Sequence, residues 1–166
     1  YENDTDPDEY FMAAAELYRA TGYAKYRKLV NDYLISNEKP DLSDKSVFRG
    51  CVTYICTKQK VDTDLCSRII SGLMDEASGI SEDARHKEYL VTTYEGDDAI
   101  GRMLEMTSHL AVVNYIISNH EYRTVLEDYV HYFLGMNSDA LCYADYGTGT
   151  STCSSGADIN TKIDQN

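Results

Sequence analysis

Apolar residues recur along this chain at steps of three and four, the spacing that puts them on one face of a helix. The first such run opens at Thr5-Asp6-Pro7-Asp8-Glu9. Asp6 can cap, Pro7 stands where a first-turn proline costs nothing, and Glu9 lies three on to close a capping box. Phe11, Ala14, Ala15 and Tyr18 follow on one face, and Ala13-Ala14-Ala15 is small enough to let another helix approach. Gly22 ends the run. A second helix is expected over 24–36, with Tyr26, Leu29, Val30, Tyr33 and Leu34 on one side, so that 7–36 forms an α/α-hairpin.

After a loop at 37–43 containing Pro40, the pattern predicts a third helix over 43–58, capped by Ser43 or Asp44. A fourth is predicted over 62–77, with acidic residues in its first turn. The stretch 78–95 has weak periodicity and reads as an extended or partly helical connection. From Asp98 onward Met103, Met106, Leu110, Val113 and Ile117 form a long apolar stripe. Asn119-His120 makes a turn, and a sixth helix over 122–134 ends at Gly135. Beyond Met136 the chain turns to loop, with Gly147, Gly149 and Gly156 amid Ser and Thr, and 158–166 forms one turn or frays.

Three helical hairpins invite a search for repeats. Tyr26-Arg27-x-x-x-x-Asp32-Tyr33 returns 96 residues later as Tyr122-Arg123-x-x-x-x-Asp128-Tyr129, in each case opening the second helix of a hairpin. The middle hairpin lacks the pattern. The fold class expected is all-α: three α/α hairpins, half of an (α/α)6 barrel.

Composition sharpens this picture in three places. Fifteen Tyr against three Phe and no Trp means that most large side chains carry a hydroxyl, which suits half-buried positions with the oxygen at water. The formal charge of -13 opposes nucleic acid and anionic membranes as partners. No apolar run approaches the ~20 residues of a membrane span, and the chain opens at Tyr1, as a processed or excised piece would. The five cysteines lack zinc-ligand spacing. Cys51 and Cys56 lie about 140° apart on a helix, poor geometry for a disulfide. Cys51, Cys56 and Cys66 are expected as buried free thiols, while Cys142 and Cys153 could close the loop between them.

Three stretches resemble glycoside hydrolase family 9, the endoglucanase family. Asp8-Glu9-Tyr10-Phe11-Met12-Ala13-Ala14-Ala15-Glu16-Leu17-Tyr18-Arg19-Ala20-Thr21-Gly22, followed by Lys25-Tyr26, is similar to that family's D-E-x-x-W-A-A-A-E-L-Y-x-A-T-G-x-x-x-Y hairpin, with Met12 where Trp is usual. His109-Leu110-Ala111-Val112-Val113-Asn114-Tyr115 through Tyr122 resembles a later long hairpin. Asp128-Tyr129-Val130-His131-Tyr132-Phe133-Leu134-Gly135-Met136-Asn137 resembles its D-Y-x-L-G-x-N-P segment, with Ser138 for Pro. Cys142-Tyr143-Ala144-Asp145-Tyr146-Gly147 then stands at a loop at the mouth of the barrel. On this likeness residues 1–135 are three hairpins of one domain, and 136–166 are the Gly/Ser/Thr-rich mouth loop and C-terminal tail.

The resemblance implies hydrolysis of β-1,4-glucan with inversion, by a carboxylate base and a carboxylic acid ~6.5–9.5 Å apart. The family's base lies in an Asp-Ala-Gly-Asp motif and its acid in a Glu-containing segment near its C-terminus. Neither motif occurs here, nor does the family's His-His-Arg motif after the mouth loop. The expectation is therefore no catalytic residue, no metal site and no cofactor in this chain. Its partners would be β-glucan or another polysaccharide, together with the missing N-terminal half or a second copy of itself, in a secreted setting. The alternative is a non-catalytic helical carbohydrate-binding or scaffolding module, and a third reading is an α-solenoid that binds protein.

Residues expected to face sugar are Asp8, on the family's substrate side, and Tyr143, Asp145 and Tyr146 in the mouth loop. Each has a plainer role available: Asp8 can complement the helix dipole, and the other three can serve ordinary turn chemistry. Asp97-Asp98 reads as a helix cap, and Glu105 with His109 as a surface pair. His86, His120 and His131 are scattered. Gly147-Thr148-Gly149 follows no strand and is no phosphate loop. Asn3-Asp4-Thr5 is a formal glycosylation sequon.

Overall fold

A computed structural model describes residues 6–96, 98–138 and 142–143, and among them the helical periodicity resolves into six helices and no strand. They are α1 (Pro7–Thr21), α2 (Ala24–Ser36), α3 (Lys45–Ile55), α4 (Thr63–Arg85), α5 (Ala99–Ile117) and α6 (His120–Phe133). The chain is all-α, as expected from its pattern. No described helix is long and apolar enough to cross a membrane.

Local chemistry sets the boundaries. Asp6 caps α1 by accepting from the Asp8 N–H at 2.9 Å. Gly22, at φ 68°, ends α1 with its N–H on the Tyr18 carbonyl at 2.8 Å. At α3, Asp44 rather than Ser43 is the cap, accepting from Ser46 and Val47. The helix stops at Ile55, short of the expected Lys58, because residues 56–62 serve as a tether. The Lys60 carbonyl accepts from the Tyr18 hydroxyl at 2.5 Å, and Asp62 caps α4 by accepting from Asp64 and Leu65.

The main departure is α4, which continues eight residues past Ala77 to Arg85. Ala77, Ile80, Ser81 and Ala84 make a buried face there, but Ser78, Gly79 and Ser81 dilute its apolar signal. The α5–α6 turn is Ser118-Asn119, with Ser118 in the left-handed region at φ 55° and Asn119 capping α6 through Glu121.

Two compact units are present, 1–76 and 77–166, and their boundary falls within α4. In the first, α1 packs against both α2 and α3. Its core holds Phe11, Ala14, Ala15, Tyr18, Val30, Leu34, Phe48, Cys51 and Tyr54. In the second, α5 packs on α6 around Met103, Leu110, Val113, Tyr122, Val125 and Tyr129.

Gly50 of α3 lies hard against α1. A Cβ there would lie 2.4 Å from Cε1 of Phe11, whose ring is stacked on Tyr33 at 4.1 Å and has nowhere to retreat. Gly79 of α4 has nothing within 4 Å of the equivalent position. Gly50→Ala is therefore expected to lower stability by about 1–3 kcal/mol of overlap, only partly offset by a helix-propensity gain of about 1 kcal/mol. Gly79→Ala should show that gain alone. Urea midpoints of the two variants moving in opposite directions would be the expected result; a Gly50→Ala variant more stable than the native chain would contradict this packing.

Candidate functional site

Asp8 lies in the first turn of α1, where a carboxylate complements the helix dipole. Its Oδ1 accepts a 2.6 Å hydrogen bond from the Tyr33 hydroxyl of α2. Phe11, one turn on, stacks on the same Tyr33 ring with 13° between planes. The hairpin thus fixes the carboxylate from two sides, by a bond to its oxygen and by the packing of the ring that donates it. Sequence reasoning missed Tyr33 as this holder, although Tyr33 closes the first copy of the repeated Tyr-Arg…Asp-Tyr pattern. Burial, and then the hydrogen bond to Asp8, push the Tyr33 phenol well above its ordinary pKa.

The repeat itself is structural. Tyr26 and Tyr122 are each the third residue of their helices. In α6 both tyrosines are buried: Tyr122 shares a 2.9 Å bond with Ser78, and Tyr129 accepts from the Thr92 N–H at 3.1 Å. In α2 both are half-buried.

Of the mouth-loop candidates, Tyr143 is described, while Asp145 and Tyr146 lie outside the described residues. The Tyr143 N–H donates to the Phe133 carbonyl at 2.8 Å, and its ring stacks on Tyr132 at 6.3 Å. With Leu104, Val130, Phe133 and Leu134 it lines a groove of about 240 Å³ whose walls are almost wholly apolar. Asp8 belongs to the first unit and Tyr143 to the second.

Two larger cavities hold none of the expected residues. One of about 640 Å³ in the first unit is floored by Pro40, Leu42, Ile69 and Gly72, with Arg68 and Asp75 in its wall. Arg68 also donates to the Leu34 carbonyl of α2. The other, about 480 Å³, lies in the second unit beside the Arg85–Glu121 ion pair.

The remaining candidates separate. Asp98 sits at the N-cap position of α5 without a side-chain cap bond, and Asp97 lies outside the described residues. Glu105 is exposed, but His109 is buried at 8% exposure, so the two do not form a surface pair. Position 109 falls on the inner side of α5 with Leu110 and Val113. Cys51 is a buried free thiol and Cys66 a half-buried one, whereas Cys56, at the C-terminal end of α3, is exposed. Cys153, the sequon and Gly147-Thr148-Gly149 lie outside the described residues.

Among the described residues no group of three or more His, Cys, Asp or Glu is placed to hold a metal ion. The described carboxyls displaced from their ordinary range, Glu16, Asp41 and Asp83, all move downward. Each is led there by a hydroxyl hydrogen bond, from Thr53, Ser43 and Thr92 respectively. A general acid needs the opposite displacement.

The family model for glycosyl hydrolase family 9 matches residues 1–155. The chain belongs to this family. Among solved structures, the family 9 endoglucanase J30 matches with a TM-score of 0.69 and 22% identity, over 81% of this chain and 26% of that one. A metagenome-derived family 9 endoglucanase matches with a TM-score of 0.75 and 22% identity, over 89% of this chain and 28% of that one. This family 9 chain therefore shares their fold while spanning about a quarter of their length. No curated protein matches it.

The family 9 chain should reveal these weak acids on the alkaline side. Burial pushes the Cys51 thiol up to about 12, and the Tyr33, Tyr54 and Tyr129 phenols also upward. These groups stay protonated in the folded chain where the unfolded chain ionises, from about pH 8.5 for thiols and about pH 10 for phenols. Their contribution is complete below those values and is lost as pH rises through them. Urea midpoints are expected to fall steadily above about pH 8.5. Burial also raises the Cys66 thiol, so Cys51→Ala should reduce the earliest part of the fall without abolishing it, and a native midpoint level to pH 10.5 would refute the linkage.

Proposed function

We propose that this chain is one part of an inverting glycosidase that hydrolyses β-1,4-glucan, with the base and acid carboxylates carried outside these 166 residues. The observation that carries the reading is the family 9 match across residues 1–155. A second observation sets the role of this part. The Asp-Ala-Gly-Asp motif is absent from the sequence, and the displaced carboxyls described here are better acceptors than proton donors.

In this reading Asp8, Tyr143, Asp145 and Tyr146 face the sugar, and residues 136–166 belong to the mouth loop and tail. Asp8 can accept from a glucosyl hydroxyl through Oδ2 while Tyr33 holds Oδ1. Tyr143 offers an apolar ring for a pyranose face. An insoluble polysaccharide cannot enter a cell, so the same reading sets the site of action outside it. Both the J30 enzyme and the metagenome-derived enzyme are endoglucanases, which supports β-glucan over other polymers.

Two measurements test the proposal. The purified chain is expected to release no reducing sugar from soluble cellulose. Turnover that survives purification would mean that a catalytic carboxylate lies within it. Titration calorimetry with cello-oligosaccharides is expected to show binding in the millimolar range, weakened severalfold to about tenfold by Asp8→Ala or Tyr143→Ala. An absence of heat at millimolar ligand would remove the sugar contacts from this portion.

A further inference from the structure

The repeated Tyr-Arg…Asp-Tyr pattern sets Tyr33 and Tyr129 at equivalent places in the second helices of their hairpins. Their hydroxyls do different work. Tyr129 is wholly buried and accepts from the Thr92 N–H, so it ties down the backbone of a connection. Tyr18 does the same through the Lys60 carbonyl. Tyr33 is half-buried and gives its hydroxyl to a side chain instead, Oδ1 of Asp8. The residue equivalent to Asp8 in the other copy is Leu104, so that hairpin forms with no carboxylate to hold. Nor does α1 need Asp8 as its cap, because Asp6 already accepts from the Asp8 N–H.

We propose that Tyr33 is a positioning residue for ligand binding: it holds the Asp8 carboxylate by one oxygen and so presents the other to a glucosyl hydroxyl. This rests on the reading that Asp8 meets glucan. A carboxylate free to turn about its side-chain bonds loses affinity when a ligand freezes it. Here the ordering is done on folding. The 2.6 Å bond fixes the carboxylate, the stack on Phe11 at 4.1 Å fixes the Tyr33 ring, and α3 backs Phe11 at Gly50. Burial, and then the Asp8 bond, raise the Tyr33 phenol, so its hydroxyl stays protonated at neutral pH and remains the donor. Oδ2 of the half-buried Asp8 has no hydrogen-bond partner among the described residues. An ionised carboxylate only accepts, so the group it selects is a hydroxyl; an ether oxygen or a deoxy carbon has no proton to offer.

The test is a double-mutant cycle on cellotriose binding to the purified chain, followed by NMR shifts so that weak affinities are measured directly. Tyr33→Phe keeps the ring on Phe11 and removes only the hydroxyl. It is expected to weaken binding about fivefold, with the melting midpoint moved by no more than about 2–4 °C. In an Asp8→Ala background the same change is expected to alter affinity by less than about twofold, because Tyr33 then has nothing to hold. A purely structural Tyr33 would weaken both backgrounds alike, and that result overturns the proposal. Native affinity in Tyr33→Phe, with Asp8→Ala still weakened, overturns it too and leaves the Asp8 contact standing. A Tyr33→Phe chain that no longer melts cooperatively shows the hydroxyl serving the fold, which also overturns it. A native chain that binds no cellotriose, or an Asp8→Ala chain that binds as the native one does, removes the contact between Asp8 and glucan, and the positioning role falls with it.

Discussion

A core built from phenols must satisfy their hydroxyls. With no Trp and three Phe, this chain fills its interior with Tyr18, Tyr54, Tyr122 and Tyr129, each at 3% exposure or less. A buried hydroxyl without a partner costs about 1–3 kcal/mol, so each of these rings dictates where a polar neighbour lies. Tyr18 takes the Lys60 carbonyl; Tyr54 donates to Asn31 and accepts from the Asp62 N–H; Tyr122 shares Ser78. Tyr129 accepts from the Thr92 N–H, and the Thr92 hydroxyl goes on to Asp83. Three of the four thereby hold backbone in a connection between helices. The loops at 56–62 and around 92 lie where the tyrosines bind them.

The same rule extends outward to the candidate site. Tyr33 is half-buried, so its ring joins the core through Phe11 while its hydroxyl reaches Asp8. Gly50 is what lets the arrangement close, because Phe11 can lie against α3 only where no Cβ intrudes. Asp8 is thus positioned by packing three residues deep. A carboxylate that only complemented the helix dipole would need none of that support, which is why the geometry bears on more than helix stability.

Where local chemistry decides, the sequence was legible. Asp6, Pro7 and Gly22 mark α1, and α2 spans the residues its apolar spacing indicates. Legibility failed where tertiary burial overrides local pattern. The second half of α4 is helical because Ile80 and Ala84 pack, although Gly79 and Ser81 argue otherwise on propensity. Tyrosine hydroxyls read as water-facing turned inward, since partners supplied by loops cannot be seen in helical spacing. His109 was misread for a related reason: spacing pairs it with Glu105, but the helix buries only one of the two. Asp8 is a candidate by family resemblance, whereas its holder Tyr33 gives no such signal, because a contact across 25 residues leaves no local signature.

The two units also differ in the faces they leave outside, and that difference is physical information. The exposed side of α1 carries Glu9, Glu16 and Arg19 beside Tyr10 and Leu17, with Glu16 tied to both Arg19 and Thr53. The outer side of α5 has Gly101, Leu104, Ser108, Ala111 and Tyr115 in the same role. What separates them is how far charge extends: α1 carries it along its length, whereas α5 confines Arg102 and Glu105 to its first two turns.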